Sequence, residues 1–468
     1  MDNDLSIKQK EQEVPKSERL SVTEKLAYGS GDMACNIVFG MISSLLTLFY
    51  TDYAGVAPTI IGMVFLISRC FDGVSDVVMG FIVEKTKSKY GQSRPWIIRM
   101  AIPYAISAVL LFTVPQTTGF MQGLYIFVTY NLCTTVCYTA LNLPYGSLST
   151  MMTRSSEERG MLSIFRMAMS PFGRILSVSF TLPVVKLFGN DQMAWAKTMG
   201  IWAVVAVALL VFCFAQCKET VEIPARKKID KTPLKIALKA LATNQYFWAG
   251  LILWMIQSCM AGLTGTVLPY YTKYIFNNDN LYSYLFLAET LTMIATTFLS
   301  PWLLRKMGKR NMSLAGVFLA LAGQLIYMIN PYSYSMVMMS CIVRGLGMAP
   351  FASVVFAMIG DAVEFGQWKT HLRQESLIFA GGSVGTKVGS GVIAAIITGM
   401  MSMAGYVTST SGVAVQSQSV LNTIVNLYKF GPLIAYAILI IVLLIYKLDK
   451  MYPQIMQDLA EREGRGEL

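Results

Sequence analysis

The sequence predicts an all-α integral membrane protein with twelve transmembrane helices in two similar halves. Hydrophobic residues make up 54% of the 468 residues and charged residues only 14%, whereas soluble domains carry about 25% charged residues. The mean hydropathy is +0.52. Long apolar runs recur along the chain, and lysine and arginine gather in alternate loops, which is the positive-inside pattern. The third observation is an internal repeat, described below.

Twelve apolar segments approach or exceed the length of about 20 residues that a helix needs to cross a bilayer. We place them at 24–51, 58–84, 96–115, 120–150, 160–187, 194–216, 242–275, 282–304, 312–330, 333–361, 374–404 and 422–447. They divide the chain into a tail (1–22), an N-terminal six-helix bundle (23–217), a linker (218–240), a C-terminal six-helix bundle (241–448) and a second tail (449–468). The first 20 residues are polar and lack the apolar core of a signal peptide.

The loops predict the orientation. Basic residues cluster in the link 84–95 and in the linker 218–240, whereas the loops 115–119, 330–335 and 404–422 contain no lysine or arginine. Both termini are therefore expected on the cytoplasmic side. This distribution also explains the net charge of +11 without a nucleic-acid partner.

Two short stretches repeat at equivalent places in the halves. Residues 158–165 and 372–379 each contain a loop arginine, then a polar start to an apolar helix that reaches Ile-Phe. The basic link after the second span is echoed after the eighth. Two similar six-helix bundles joined by a basic linker are typical of the major facilitator fold.

The second span carries three charges in one apolar run. Arg69, Asp72 and Asp76 are spaced by three and four residues, so they share one helix face. Each charge costs about 2.5–3.5 kcal/mol at the centre of a membrane helix, so this face must look into the protein. The sum of −1 favours a site for a proton or Na⁺. A structural ion-pair network is the alternative.

Other spans also carry polar residues that need partners. They are Asp32, Asn36, Asn142, Arg166, Arg174, Glu289 and Lys387. An isolated asparagine is as well explained by a hydrogen bond between helices, but buried cations require a counter-charge. The only histidine is His371, which excludes a histidine-based metal or catalytic cluster, and no nucleophile elbow or phosphate loop is visible. The eight cysteines are expected to be free thiols.

Six motifs in order resemble a known family, the glycoside–pentoside–hexuronide:cation symporters to which the melibiose carrier belongs. The match runs from about Lys25 to Lys450. The motifs are Tyr28-Gly-x-Gly-Asp, Phe49-Tyr-Thr-Asp52, Arg69-x-x-Asp72-x-x-x-Asp76, Gly91-x-x-Arg94-Pro95, Asn142-x-Pro144-Tyr145 and Phe365-Gly-x-x-Lys369-x-x-x-Arg373-x-Glu375.

The resemblance implies sugar transport coupled to H⁺, Na⁺ or Li⁺, with no other cofactor. The implied cation site is Asp72 and Asp76, with Ser75 and Thr139 beside them. Where this chain has Ser75, the melibiose carrier has an asparagine that helps hold sodium. The shorter hydroxyl favours H⁺ over Na⁺, because proton coupling needs only a carboxylate.

The implied sugar site draws on residues in both halves. They are Asn36 and Asp32, Tyr138 and Asn142, Arg166 and Lys387, with Arg174 as a further candidate. The melibiose carrier has aspartates at Asn36 and Asn142, and in these two amides the chain resembles the glucuronide carriers. With two fewer acids, we expect an acidic glycoside such as a glucuronide as substrate. Neutral glycosides or pentosides, with Na⁺ as the coupled ion, are the alternative.

Several charged residues are candidates for gates. Arg174 and Glu289 are expected to form a salt bridge between the halves, unless Arg174 binds the substrate carboxylate. Arg69, Arg94, Arg159, Arg373 and Glu375 are expected to belong to gating or salt-bridge networks. Positive-inside topology alone explains the neighbouring lysines equally well.

The sequence thus predicts a transporter of the bacterial inner membrane that takes a small sugar. We expect it to work as a monomer. A channel, a non-coupled facilitator and a sensor are the competing classes. The single acidic pair in one half favours a carrier, because channels usually carry charges in symmetric rings.

Overall fold

A computed structural model of the protein describes residues 19–86, 88–117, 119–153, 156–220, 239–372, 375–412 and 414–465. This described part is all-helical and contains no β-strand, as predicted. Its helices are α1 Val22–Ser44, α2 Leu46–Asp52, α3 Pro58–Lys85, α4 Arg94–Leu110, α5 Gly119–Asn131, a π-helix Leu132–Cys137, α6 Tyr138–Met152, α7 Ser156–Leu187, α8 Gln192–Gln216, α9 Gln245–Tyr274, α10 Asn280–Ile329, α11 Tyr334–Thr370, α12 Glu375–Met403, α13 Gln418–Ile445 and α14 Leu448–Gly464. Most of the first tail and of the linker lies outside the described residues.

These helices are consistent with the twelve predicted spans. Eight described helices are long and apolar enough to cross a bilayer, or nine if α1 and α2, which meet at 44°, form one broken span. The 50 residues of α10 would extend about 75 Å as a straight helix, far more than the ~30 Å bilayer core. A positive φ of 75° at Gly308 breaks it into two spans. The charged α3 and the 17-residue α4 complete the pattern.

Local sequence explains how the helices begin. Ser21 and Glu24 form a reciprocal capping box at the start of α1. Asn244 caps α9 through the backbone N–H groups of Tyr246 and Phe247. Pro58 opens α3 at its first position, where a helix has no need of that N–H group.

The two halves of the bundle meet at an interface that we call the seam. A continuous apolar core crosses the seam at the end that carries Asp52, Tyr270 and Tyr406 (the Asp52 end). A second core lies within the C-terminal half. The opposite end carries the start of α1 and the C-terminal helix α14 (the termini end). Every hydrogen bond across the seam among the described residues lies at the Asp52 end, apart from one pair in the middle, so the halves are closed together at the Asp52 end.

The internal repeat is visible in three dimensions at the termini end. The Arg94 Nε donates to the Phe214 carbonyl at 2.8 Å, and its backbone N–H donates to the Glu219 carboxylate at 2.6 Å. In the other half, Arg310 repeats both bonds with the Leu443 carbonyl (2.9 Å) and the Asp449 carboxylate (2.7 Å). The basic links after the second and eighth spans therefore have the same structural role in the two halves.

Seven cysteines in the described part are free, in agreement with the prediction. They are Cys35, Cys133, Cys137, Cys213, Cys217, Cys259 and Cys341.

Candidate functional site

A cavity of about 370 Å³ lies in the middle of the bundle, between the two halves. Side chains from α1, α3, α4, the π-helix and α6 line one side, and α9 and α12 line the other. Its charged lining consists of Arg69, Asp72, Asp76 and Lys387, which sum to zero. The polar remainder is formed largely by hydroxyl and amide groups, which suits a polyhydroxylated ligand.

Asp76 and Lys387 form an ion pair across the seam inside this cavity. Asp76 lies on α3 and Lys387 on α12, so the pair joins the two halves. Thr139 donates to the other Asp76 oxygen at 3.2 Å. The Asp76 side chain is 37% exposed. Asp76 is therefore a carboxylate that a cation from the cavity can reach.

Asp72 has a more buried and more fully bonded environment. Its side chain is only 6% exposed and pairs with Arg69 at 3.0 Å. Thr135 donates to the second Asp72 oxygen at 2.6 Å, and Tyr130 accepts from Arg69 at 2.9 Å. Asp72 is thus held by fixed partners within the N-terminal half.

The π-helix Leu132–Cys137 places Thr135 against Asp72. Such one-turn π segments are rare and frequently lie at functional sites. Thr135 and Tyr130 were not predicted as site residues, since no pattern in the sequence marks a π turn here. Ser75, predicted as a cation ligand, donates to the Thr135 carbonyl at 2.5 Å and does not line the cavity.

The predicted sugar-binding residues fall into two groups. Tyr138, Asn142 and Lys387 line the cavity, and the Asn142 amide oxygen is buried without a hydrogen bond from any described residue. Asp32 and Asn36 form a second cluster with Arg166: Arg166 pairs with Asp32 at 3.0 Å, and Asn36 donates to Asp32 at 3.1 Å. These three are not part of the cavity lining.

A network that we call the latch closes the Asp52 end. Asp52 is fully buried. It pairs with Lys273 and accepts hydrogen bonds from the hydroxyl groups of Thr51 (2.8 Å), Tyr274 (2.6 Å) and Tyr406. Asp52 belongs to the N-terminal half and Lys273 to the C-terminal half, so the latch joins the halves.

The backbone extends the latch. The N–H groups of Ser409 and Gly412 donate to the carbonyls of Thr51 and Asp52 at 2.9 and 2.8 Å. Asp52 belongs to one of the family motifs, but the resemblance implied no role for it. Lys273 carried no local signal, because its partner lies in the other half.

The predicted salt bridge between Arg174 and Glu289 is not present in this structure. Glu289 pairs instead with Arg344 of α11 at 3.1 Å. Arg344 is 1% exposed and also donates to Gln324 and Tyr428. The sequence does not show that Arg344 on the adjacent helix lies close to Glu289, and an Arg174–Glu289 pair that forms in another conformation stays a prediction.

Three of the predicted gating arginines, Arg69, Arg94 and Arg159, form no bond across the seam to another described residue. Arg69 is bound within its own half, and Arg94 packs over the Phe214 ring at 4.5 Å. Arg159 lies near the start of α7 at the termini end, where Ser163 donates to its carbonyl. Arg373 and the side chain of Glu375 lie outside the described residues. A gating role for these residues stays a prediction for the conformation in which the termini end closes.

Comparison with known proteins identifies the family. A family model described as MFS/sugar transport protein matches residues 27–450. The chain belongs to this family. It is 31% identical over 453 residues to the isoprimeverose transporter of Lactiplantibacillus pentosus, covering 95% of this chain and 92% of that protein. It is 29% identical over 459 residues to a putative glycoside/cation symporter of Escherichia coli, YagG, covering 96% and 97%.

A solved structure supports the fold of this sugar transporter. The nucleoside transporter NupG superimposes with a TM-score of 0.63 at 12% identity, covering 90% of this chain and 99% of that one. At that identity the likeness concerns the fold alone. Together with the relatives, it confirms the predicted symporter family and the major facilitator fold. The protein is an integral membrane transporter and not an enzyme.

Proposed function

We propose that this protein is a cation-coupled glycoside symporter in which the coupled cation competes with Lys387 for Asp76. The observation that carries the proposal is the Asp76–Lys387 ion pair, because it lies in the cavity and joins the two halves. Relatives named as an isoprimeverose transporter and as a glycoside/cation symporter support a sugar as the substrate.

The conformation fits one state of an alternating-access cycle. The Asp52 end is closed by the latch, whereas no hydrogen bond or ion pair between two described residues crosses the seam at the termini end. With both termini on the cytoplasmic side, as the basic loops predict, this is an inward-facing state. Opening to the outside then requires the latch to break and the termini end to close.

Cation binding at Asp76 would change the connection between the halves. A proton on Asp76, or Na⁺ beside it, removes the charge that holds Lys387. Without that attraction, Lys387 is free to bind a substrate oxygen, so that cation and sugar act on the same pair. This supplies the coupling that a symporter needs.

We propose H⁺ as the coupled cation and Na⁺ as the alternative. Ser75 bonds to a backbone carbonyl, which leaves Thr139 as the described side chain that contacts Asp76 besides Lys387. A proton requires the carboxylate alone.

The sugar is proposed to bind in the cavity against Tyr138, Asn142 and the hydroxyl groups of α9 and α12. The charges that line this cavity cancel, and Arg166 is bound to Asp32. Arg166 and Lys387 therefore do not by themselves favour an acidic glycoside over a neutral one. That distinction requires a different residue.

Counterflow in proteoliposomes tests the proposed function. The full-length protein is purified and reconstituted. The proteoliposomes are then loaded with an aryl β-glucuronide or the matching aryl β-glucoside, each with and without Na⁺ at two pH values. We expect the protein to exchange a glycoside at a rate that depends on pH. Exchange that requires Na⁺ would replace H⁺ by Na⁺ in the proposal, and exchange of neither sugar under any condition would contradict it.

A further inference from the structure

The basic side chains of the helices show an uneven distribution of partners. Among the described residues, eight of them pair with a carboxylate: Lys25 with Glu158, Arg69 with Asp72, Arg166 with Asp32, Lys186 with Asp279, Lys273 with Asp52, Lys309 with Asp361, Arg344 with Glu289 and Lys387 with Asp76. Arg174 on α7 differs from all eight. It forms no ion pair and donates no side-chain hydrogen bond to any described residue, and its Nε is buried without a partner.

Arg174 lies at the seam. A Cβ added to Gly40 of α1 would lie 3.1 Å from the Arg174 Cγ, and one added to Gly265 of α9 would lie 3.7 Å from its Nη2. The centre of the guanidinium is 5.6 Å from the ring centre of Phe286 on α10. The side chain therefore extends from the N-terminal half to the surface of the C-terminal half, in space that two glycines leave open.

Its height along the bundle places it between the cavity and the latch. On α9, the cavity-lining Ser258 precedes Gly265 by seven residues, or about 10 Å, and the latch residue Lys273 follows Gly265 by eight residues, or about 12 Å. A ligand that enters through an open latch thus meets Arg174 before it reaches Lys387.

An unpaired guanidinium at such a place is unusual. Arg174 is partly buried, with its Nε buried and unpartnered. A charge inside a membrane protein is unfavourable without a counter-charge, and the contact with the Phe286 ring offsets only part of that penalty. The nearby Glu289 is already bound to Arg344, so the Arg174 guanidinium is open to a counter-charge from a ligand.

We propose that Arg174 is the specificity-determining residue that binds the carboxylate of an acidic glycoside. A guanidinium presents five N–H donors in a planar fork that matches both oxygens of a carboxylate. A neutral glycoside offers no charge to balance it. This inference rests on the proposed function and names the substrate class for the same transport path.

The test compares two sugars that differ in one group. Wild type, Arg174→Gln and Arg174→Lys are reconstituted as full-length protein, and half-saturation concentrations are measured for an aryl β-glucuronide and the matching aryl β-glucoside. Lys429→Gln serves as the matched control, because Lys429 lies on α13 and has no place in the proposed site. Thermal unfolding of each variant in detergent verifies that it is folded.

We expect Arg174→Gln to raise the half-saturation concentration for the glucuronide at least tenfold, which corresponds to about 1.4 kcal/mol. The value for the glucoside should change less than twofold. Arg174→Lys keeps the charge but loses the fork, so it should recover part of the affinity. If Arg174→Gln does not fold, the same comparison is made with Arg174→Lys, which should lose affinity for the glucuronide selectively.

Three results would overturn the inference. They are an unchanged glucuronide affinity, an equal loss for both sugars, and a wild-type protein that transports the glucoside but not the glucuronide. All three leave glycoside transport itself intact, so they are distinguishable from failure of the proposed function. That failure is the absence of transport of either sugar.

Discussion

The latch at the Asp52 end makes a quantitative prediction for Asp52→Asn. The carboxylate is fully buried and the Lys273 side chain is 9% exposed. Asparagine keeps the shape: its amide oxygen can still accept from one of the Tyr274 and Tyr406 hydroxyl groups, and its amide N–H group can donate to the other. It removes the negative charge, however, and leaves the Lys273 ammonium uncompensated while the seam is closed.

Breaking a buried ion pair by removing one partner costs about 3–5 kcal/mol. When the halves separate at the Asp52 end, water reaches Lys273, so most of this cost applies to the closed state alone. Because each 1.4 kcal/mol is a factor of about ten, the equilibrium should shift toward the open state by at least roughly 100-fold.

Labelling of a cysteine in the cavity measures this shift. Phe39→Cys, at a cavity-lining position, is introduced into a cysteine-free background. Right-side-out vesicles are then treated with a membrane-impermeant maleimide. We expect Asp52→Asn to label on the order of 100 times faster than the parent.

Two further variants control for other effects. In the double variant Asp52→Asn, Lys273→Met no uncompensated charge remains, so labelling should return close to the parental rate. Asp279→Asn removes another cross-seam pair at the same end, with Lys186 at 3.6 Å, but this pair is partly exposed. Exposed pairs contribute about 0–1 kcal/mol. In the Asp279→Asn variant, the cysteine at position 39 should therefore be labelled less than five times faster than in the parent. A parental rate in Asp52→Asn, or equal acceleration in all variants, would show that the buried pair does not hold the seam closed.

Two other predictions concern stability within the halves. Glu219 accepts hydrogen bonds from the backbone N–H groups of Gln92, Ser93 and Arg94 at the start of α4. Glu219→Gln should therefore lower the free energy of unfolding by about 1–3 kcal/mol. An unchanged thermal midpoint would contradict this. Arg344→Met leaves the Glu289 carboxylate without its partner and should cost about 3–5 kcal/mol. Adding Glu289→Gln should recover most of that loss in urea or thermal unfolding, whereas an equally unstable double variant would contradict the pairing.

The sequence predicted most of the fold because its signals are local. Apolar length, basic loops and the spacing of Arg69, Asp72 and Asp76 each depend on one helix and its flanks. The corresponding helices and the Arg69–Asp72 pair are present in the structure. Even the break at Gly308 was indicated, because it lies in the basic link after the eighth span, which repeats the basic link after the second span.

Pairings between helices were predicted less well. Glu289 had arginines available on two other helices, and only the packing of α10 against α11 decides in favour of Arg344. Likewise, Lys387 was assigned to the sugar on the basis of family resemblance, although its described partner is Asp76. Choosing between partners requires distances across the bundle, which spacing along one helix does not contain.

The geometry of the latch and of the π-helix was also beyond the sequence. Asp52 and Lys273 are more than 200 residues apart and lie in different halves. The π turn depends on how the helix packs around Thr135 and Asp72. Both features arise from tertiary contacts, and neither has a marker in the sequence.

The most direct test of the central claim compares sugar-driven proton movement in the wild type and in the Asp76→Asn variant. Proteoliposomes or cells receive a saturating glycoside in a weakly buffered medium, and a pH electrode records proton uptake alongside entry of the labelled sugar. Wild type should take up protons with the sugar and accumulate it along a proton gradient. Asp76→Asn should exchange sugar without proton movement and without accumulation. If Asp76→Asn still accumulates the sugar with the same proton movement as wild type, cation coupling does not operate through the Asp76–Lys387 pair.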